Sequence, residues 1–126
     1  MEYKIFLSLI SILFLFSCEE SSKTVISVAN DYAETGKGTM VASIENEGSP
    51  IQFKSKVSIE EGKFSFYLVN PKKDTILVKS YKGFGTFEEN FNYERIIGEW
   101  VLNYSIEADG KISPEGSFDI DLIYKD

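Results

Sequence analysis

Alternation of apolar and polar residues along several short stretches predicts a β fold for this chain. In IQFKSKVSI (residues 51–59), isoleucine, phenylalanine and valine alternate with glutamine, lysine and serine. The same period recurs in KFSFYLV (63–69), EWVLNYSIE (99–107) and SFDIDLIY (117–124). A period of two buries one face of a strand and leaves the other in water. On this pattern Trp100, the only tryptophan, is predicted to lie in the core.

Further strands and turn residues fill the space between these runs. VISVA (25–29), TMVASI (39–44) and TILVKSY (75–81) read as strands, and EEG at 60–62 separates two strands by a gap of hairpin length. NPKKD at 70–74 and ADG at 108–110 are turn signals. Short strands without crossover helices predict an all-β fold: a single antiparallel β-sandwich, jelly-roll or Ig-like, of seven or eight strands over residues 24–126.

One segment, TFEENFNYERI (86–96), fits two structures. Phe87, Phe91 and Tyr93 alternate as in a strand, whereas Thr86 followed by Glu89 matches a capping box and Phe87 and Phe91 have helical spacing. Glu89 interrupts the apolar face of a strand, and the neighbouring glycines restrict a helix. We favour the strand.

The residue inventory excludes most enzyme mechanisms. The 126 residues contain no histidine and one cysteine, which rules out a histidine-based triad, a histidine zinc site and an intramolecular disulfide. We therefore predict no catalytic residue, no cofactor and no metal ligand. The net charge of −7 opposes the phosphate contacts that nucleic-acid binding needs, so no nucleic-acid partner is expected.

The first residues have the features of a secretory leader. IFLSLISILFLF (5–16) is an apolar run of 12 residues, too short to span a bilayer of about 30 Å and of the length of a signal-peptide h-region. Polar CEESSK follows at once. Residues 1–17 are therefore predicted to be a signal peptide.

Leu15-Phe16-Ser17-Cys18 resembles the lipobox of bacterial lipoproteins. The resemblance implies cleavage before Cys18 and acylation of its thiol, with residues 18–23 as a short tether. Two or more acyl chains hold a protein stably at a membrane. Glu19 and Glu20 oppose a reactive thiol, because negative neighbours raise a thiol pKa. They also resemble the surface-export signal of Bacteroidota lipoproteins, which implies exposure of the domain at the cell surface; an ordinary polar tether is the alternative explanation of the two glutamates. In the enteric lipoprotein sorting rule an Asp directly after the cysteine retains the protein in the inner membrane, so Glu19 at that position implies delivery to the outer membrane.

Two groups of side chains in the folded part are candidate sites. In YKGFGTFEENFNY (81–93), most of the aromatic rings are expected to fill the core, but Phe84 lies between two glycines and is expected to be exposed. Phe84 and Phe87 are the predicted partner-binding residues. Asp119 and Asp121 are expected on one outward face, where with Asp109 and Glu115 they could offer oxygen ligands to calcium, although solvated carboxylates explain them better.

The order of features from residue 62 to 124 loosely resembles small jelly-roll and Ig-like modules of secreted bacterial proteins. This resemblance supports an architecture and not an activity. The expected function is a lipid-anchored envelope lipoprotein whose non-catalytic sandwich binds a protein or glycan partner. The alternative is a small envelope enzyme inhibitor or a histidine-free, hydrolase-like accessory protein.

Overall fold

The structure, a computed structural model, describes residues 23–125, so the predicted leader, Cys18 and nearly all of the tether lie outside the described residues. Eight strands form this part: β1 (Lys23–Tyr32), β2 (Gly36–Ile44), β3 (Ile51–Glu61), β4 (Lys63–Val69), β5 (Thr75–Lys82), β6 (Gly85–Tyr93), β7 (Gly98–Glu107) and β8 (Glu115–Lys125). Every strand expected from the sequence is present. Between residues 23 and 125 there is no helix long and apolar enough to span a membrane.

The strands form two antiparallel four-stranded sheets. Sheet 1 has the order β1-β8-β3-β6 and sheet 2 the order β2-β7-β4-β5, which together make a β-sandwich with jelly-roll connectivity. Only β4 and β5 are neighbours in both sequence and space, so the other connections cross from one sheet to the other. The predicted β-sandwich is confirmed.

The EEG segment is a corner between sheets and not a hairpin, because β3 belongs to sheet 1 and β4 to sheet 2. Gly62 makes the corner at a φ of 99°, a conformation that glycine adopts readily. A Cβ at this position would lie 2.6 Å from the Cβ of Pro114. Gly83 of a second corner donates its N–H to the Gly62 carbonyl at 3.1 Å, which ties the two corners together.

The NPKKD segment forms the β4–β5 hairpin as expected. Asn70 organises it, since its Oδ1 accepts the backbone N–H groups of Lys72 at 2.9 Å and Asp74 at 3.1 Å. Lys73 takes a positive φ of 71° within this turn.

The inward rows of both sheets form one core. Trp100 is 1% exposed and donates its indole N–H to the Ile96 carbonyl at 2.9 Å, which confirms its predicted place. Phe64 lies at the centre of an aromatic group, 5.0 Å from Phe118 and 5.9 Å from Tyr104 between ring centroids. These contacts bury the face that the alternating pattern marked as apolar.

Residues 86–93 belong to strand β6, as favoured, and not to a helix. Phe87, Glu89, Phe91 and Tyr93 occupy alternate, half-buried positions along it. Glu89 is tolerated in this row because β6 is an edge strand, where its carboxylate meets Lys79 and Tyr81 of β5, the edge strand of the other sheet.

The strand register separates the two ends of the sandwich. Lys23, the first described residue, pairs with Lys125, so β1 begins where β8 ends. Loops 45–50, 70–74 and 94–97 lie at this end, which we call the tether end, while the Phe84 end carries the 33–35, 83–84 and 108–114 connections. One strand length of about 30 Å separates the two ends.

Candidate functional site

The outer face of sheet 2 carries a groove with a volume of about 680 Å³, which we call the Tyr67 groove. All four strands of the sheet contribute to it: Lys37, Gly38 and Thr39 from β2, Asn103, Tyr104, Ser105 and Glu107 from β7, Ser65, Phe66 and Tyr67 from β4, and Val78, Lys79 and Ser80 from β5. The outward row of a strand in a sandwich is normally solvated, so a groove with an aromatic ring there is a candidate binding site.

Side chains that are neighbours across the four strands form rows in the groove, and the first such row combines an aromatic ring with an amide. Cross-strand pairing places Thr39 beside Asn103, Asn103 beside Tyr67, and Tyr67 beside Val78. Tyr67 is 43% exposed and Val78 is 68% exposed, so these two neighbouring side chains give one half of the row an apolar surface. In the polar half the Thr39 hydroxyl donates to Asn103 Oδ1 at 2.9 Å. With Oδ1 engaged, the Asn103 amide nitrogen keeps its hydrogens for a ligand.

The second row lies two residues along each strand, about 7 Å towards the Phe84 end. It places Lys37 beside Ser105, Ser105 beside Ser65, and Ser65 beside Ser80. The Ser65 and Ser80 hydroxyls are 3.1 Å apart and share a hydrogen bond. This row therefore offers hydroxyl groups and one ammonium group and contains no carboxylate.

Two of the charged side chains that line the groove are paired with neighbours. Lys79 Nζ lies 2.9 Å from Glu89 Oε1, and Glu107 Oε1 lies 3.8 Å from Lys63 Nζ. Among residues 23–125, no carboxylate lies within ion-pairing distance of Lys37. The groove thus combines an exposed ring, a positioned amide, several hydroxyls and one unpaired ammonium group.

The outer face of sheet 1 has a different character. Lys54 pairs across strands with Asp121, and Lys56 with Asp119, so opposite charges alternate there. The prediction that both aspartates project outward is confirmed. Burial raises the pKa of Asp121, and the nearby Asp119 carboxylate raises this pKa further. Among the described residues this face carries alternating charges and no exposed aromatic ring, which makes it a poor match for a neutral ligand.

The four residues considered for calcium do not form one cluster, because only Asp119 and Asp121 are close to each other. Asp109, in the 108–114 loop, lies 3.7 Å from Lys82 Nζ, away from the aspartates of the β8 outer face. Within the described part of the chain, no three acidic or cysteine side chains are close enough to hold a metal ion.

The two predicted partner-binding residues have different surroundings. Phe84 is 86% exposed at the corner between β5 and β6, as its flanking glycines led us to expect. Phe87 is half-buried, and its ring stacks on that of Tyr81 with centroids 4.6 Å apart. Neither residue lines the Tyr67 groove. Their binding role stays a prediction.

Sequence reasoning missed the groove itself. Tyr67 lies between the inward Phe66 and Leu68 of KFSFYLV, so its outward direction follows from the alternation already recognised. The aromatic ring of Tyr67 on the otherwise polar, outward side of a strand was the signal in the sequence that could have indicated a binding surface. That Tyr67 neighbours Asn103 depends on the pairing of β4 with β7, which local sequence does not reveal.

No family model matches the sequence, and no curated protein does. Solved structures do resemble it. TmCBM61, solved in complex with β-1,4-galactotriose, is 12% identical over 86% of this chain and 85% of that chain, with a TM-score of 0.54. This likeness agrees with the β-sandwich fold.

Two other structures are similar at lower scores. The carbohydrate-binding module CBM36, solved in complex with calcium and xylotriose, is 13% identical over 82% of this chain and 99% of that chain, with a TM-score of 0.46. A protein of the disulfide-linked pili that form Bacillus endospore appendages is 8% identical over 82% and 88%, also with a TM-score of 0.46.

Proposed function

We propose that this protein is a lipid-anchored envelope protein whose β-sandwich binds a glycan non-catalytically in the Tyr67 groove. The observation that carries the proposal is the pairing of Tyr67 with Asn103 on the outer face of sheet 2. A half-exposed ring offers a flat apolar surface to the carbon-bound hydrogens of a sugar, and an amide beside it can donate to a sugar hydroxyl.

The form of the groove supports a chain-like ligand. Its first row crosses four strands spaced about 4.8 Å apart, so the row is about 14 Å long and open along the sheet surface. The similar fold of TmCBM61 holds β-1,4-galactotriose, which makes short neutral oligosaccharides reasonable first probes.

Lipid anchoring at Cys18 would orient the groove. The tether would join the sandwich at Lys23, so the tether end would face the lipid headgroups and the Phe84 end would point away. The groove, on the side of the sandwich, would remain accessible to glycans in the envelope. Outer-membrane location and surface exposure belong to this proposal.

Calorimetric titration tests glycan binding. The full-length acylated protein in detergent is titrated with galacto- and xylo-oligosaccharides, and Tyr67→Ala is expected to weaken binding about tenfold or more, which corresponds to about 1.4 kcal/mol. Val25→Ala is the matched control, since Val25 is 49% exposed on the opposite sheet. Unchanged affinity in Tyr67→Ala, or no binding across a broad glycan panel, would contradict the proposal.

Metabolic labelling tests the anchor. Cells given labelled palmitate are expected to label the wild-type chain and not Cys18→Ala, whose leader should stay uncleaved. Undiminished label in the alanine variant would show that Cys18 is not the acylated residue. Protease treatment of intact cells then tests orientation, because a surface-exposed domain is digested and a periplasmic domain is protected.

The exposure of Phe84 supports a second candidate function, docking of a protein partner or inhibition of an envelope enzyme at the Phe84 end. The corner that carries Phe84 is short and hydrogen-bonded to Gly62, so the ring is presented on a fixed backbone. Phe84→Ala would abolish this interaction and leave glycan binding intact, whereas Tyr67→Ala would have the opposite effect.

A further inference from the structure

The second row of the Tyr67 groove has side chains that favour a negatively charged ligand over a neutral one. It consists of Lys37, Ser105, Ser65 and Ser80 in register, with no carboxylate between them. One of the Ser65 and Ser80 hydroxyls donates to the other, so the Lys37 ammonium group and the remaining hydroxyls are the donors open to a ligand. Hydroxyls donate to an anion as readily as to a sugar hydroxyl, but an ammonium group favours an anion.

Lys37 is the charged group in this groove that remains open to a ligand. The other two, Lys79 and Glu107, are held by Glu89 at 2.9 Å and by Lys63 at 3.8 Å. Among the described residues, Lys37 has no carboxylate partner within 4 Å. The groove therefore presents one uncompensated positive charge in a chain whose net charge is −7.

The relative positions of the two rows fit one ligand. Tyr67 lies on β4, and Lys37 lies two strands away on β2 and one row nearer the Phe84 end. With strands about 4.8 Å apart and rows about 7 Å apart, the two backbone positions are separated by about 12 Å. A sugar stacked on Tyr67 would therefore place a neighbouring unit of the same glycan within reach of the long Lys37 side chain.

We propose that the Tyr67 groove selects an acidic glycan, one that carries carboxylate groups of the uronic acid type, through Lys37 and the serine row. This inference rests on the proposed function, because it assigns the substrate class of the same groove. Lys37 is the residue that determines charge preference, while Tyr67 supplies binding common to neutral and acidic sugars.

The test compares two oligosaccharides that differ only in charge. β-1,4-galacto-oligosaccharides and the same oligosaccharides oxidised to uronates at C6 are titrated into the full-length acylated protein at low and at high salt. The uronate is expected to bind about two- to fivefold more tightly at low salt, the size of an exposed charge contact. The preference should disappear near 1 M salt, where the screening length is about 3 Å.

Substitutions assign the preference to its residue. Lys37→Ala should bring the two affinities to the same value, and Lys37→Arg should keep the preference. Lys111→Ala is the control, since Lys111 is exposed in the 108–114 loop outside the groove.

The outcomes separate the two proposals. Equal affinities in the wild-type protein, or a preference that survives in Lys37→Ala, would overturn the acidic-glycan inference and leave glycan binding standing. Binding of neither oligosaccharide by the wild-type protein, together with no response across a broad panel of neutral and acidic glycans, would overturn both.

Discussion

The hydroxyl of Tyr81 donates a 2.7 Å hydrogen bond to Glu89 Oε2 and so joins the edge strands of the two sheets. Lys79 holds the other carboxylate oxygen, with Nζ 2.9 Å from Oε1. Both oxygens of Glu89 are thus engaged, which explains how an acidic residue occupies the inward row of β6. The three side chains close one side of the sandwich.

Protonation of Glu89 should destabilise the fold. Lys79 and Tyr81 lower the pKa of Glu89 below its ordinary value of 4.5. A lowered folded-state pKa stabilises the protein above the unfolded pKa, and this contribution is lost as the pH falls through the folded pKa. We expect the free energy of unfolding to fall below pH 4.5, and to fall less steeply in Glu89→Gln. Urea titrations at several pH values measure how steeply the free energy of unfolding falls with pH in the wild-type protein and in Glu89→Gln. Equal slopes for the two proteins would contradict the prediction.

Removal of the Tyr81 hydroxyl should lower the stability without disturbing the packing of its ring. Tyr81→Phe keeps the ring that stacks on Phe87 at 4.6 Å and removes the bond to the ionised Glu89, so we expect a loss of about 1.5–3 kcal/mol. A double-mutant cycle with Glu89→Gln should give a non-zero coupling energy from chemical denaturation. Additive effects would show that the bond contributes nothing in solution.

The backbone at Gly116 leaves no room for a side chain. A Cβ there would lie 2.2 Å from the Ser58 carbonyl oxygen and 2.7 Å from the Tyr32 hydroxyl. Gly116→Ala should therefore lower the stability by about 1–3 kcal/mol, as overpacking does. Gly36→Ala is the matched control, because nothing lies within 4 Å of its Cβ position, and it should change stability by less than about 0.5 kcal/mol. Thermal unfolding compares the two, and equal melting temperatures would contradict the predicted clash.

Arg95 should resist replacement by lysine. Its side chain is 8% exposed, its guanidinium lies 4.5 Å from the ring centre of Tyr124, and Nη1 donates to the Lys125 carbonyl. Lysine keeps the charge but loses the planar stacking, so Arg95→Lys and Arg95→Ala should both lose about 2 kcal/mol or more. Unfolding of the two variants at matched pH measures the loss. Full rescue by lysine would show that charge alone matters.

Much of the fold was predictable because alternation is a local property. The inward direction of Phe64, Phe66 and Trp100 follows from a period of two wherever the strand lies. The strand at 86–93 was ambiguous because Glu89 lies in its apolar row, and its partners Lys79 and Tyr81 are identified only once the two sheet edges meet.

The groove and the sheet order were not predictable to the same degree. EEG looked like a hairpin because gap length alone does not distinguish a hairpin from a corner between sheets. Likewise, the neighbours of Tyr67 come from β7 and β5, and the pairing with β7 depends on non-local contacts. Phe84 was the easier residue to single out, because glycines on both sides mark an exposed corner without any knowledge of pairing.

The pairing of the first strand with the last has a kinetic consequence. Among the strands of residues 23–125, β1 pairs with β8, about ninety residues later in the chain, and only β4 and β5 form a local hairpin. A topology dominated by such distant contacts folds slowly, on the scale of milliseconds to seconds. During synthesis β1 cannot pair with β8 until β8 has emerged, so sheet 1 is completed late. β8 lies between β1 and β3, so sheet 1 cannot take its final order before the last of the eight strands has been made.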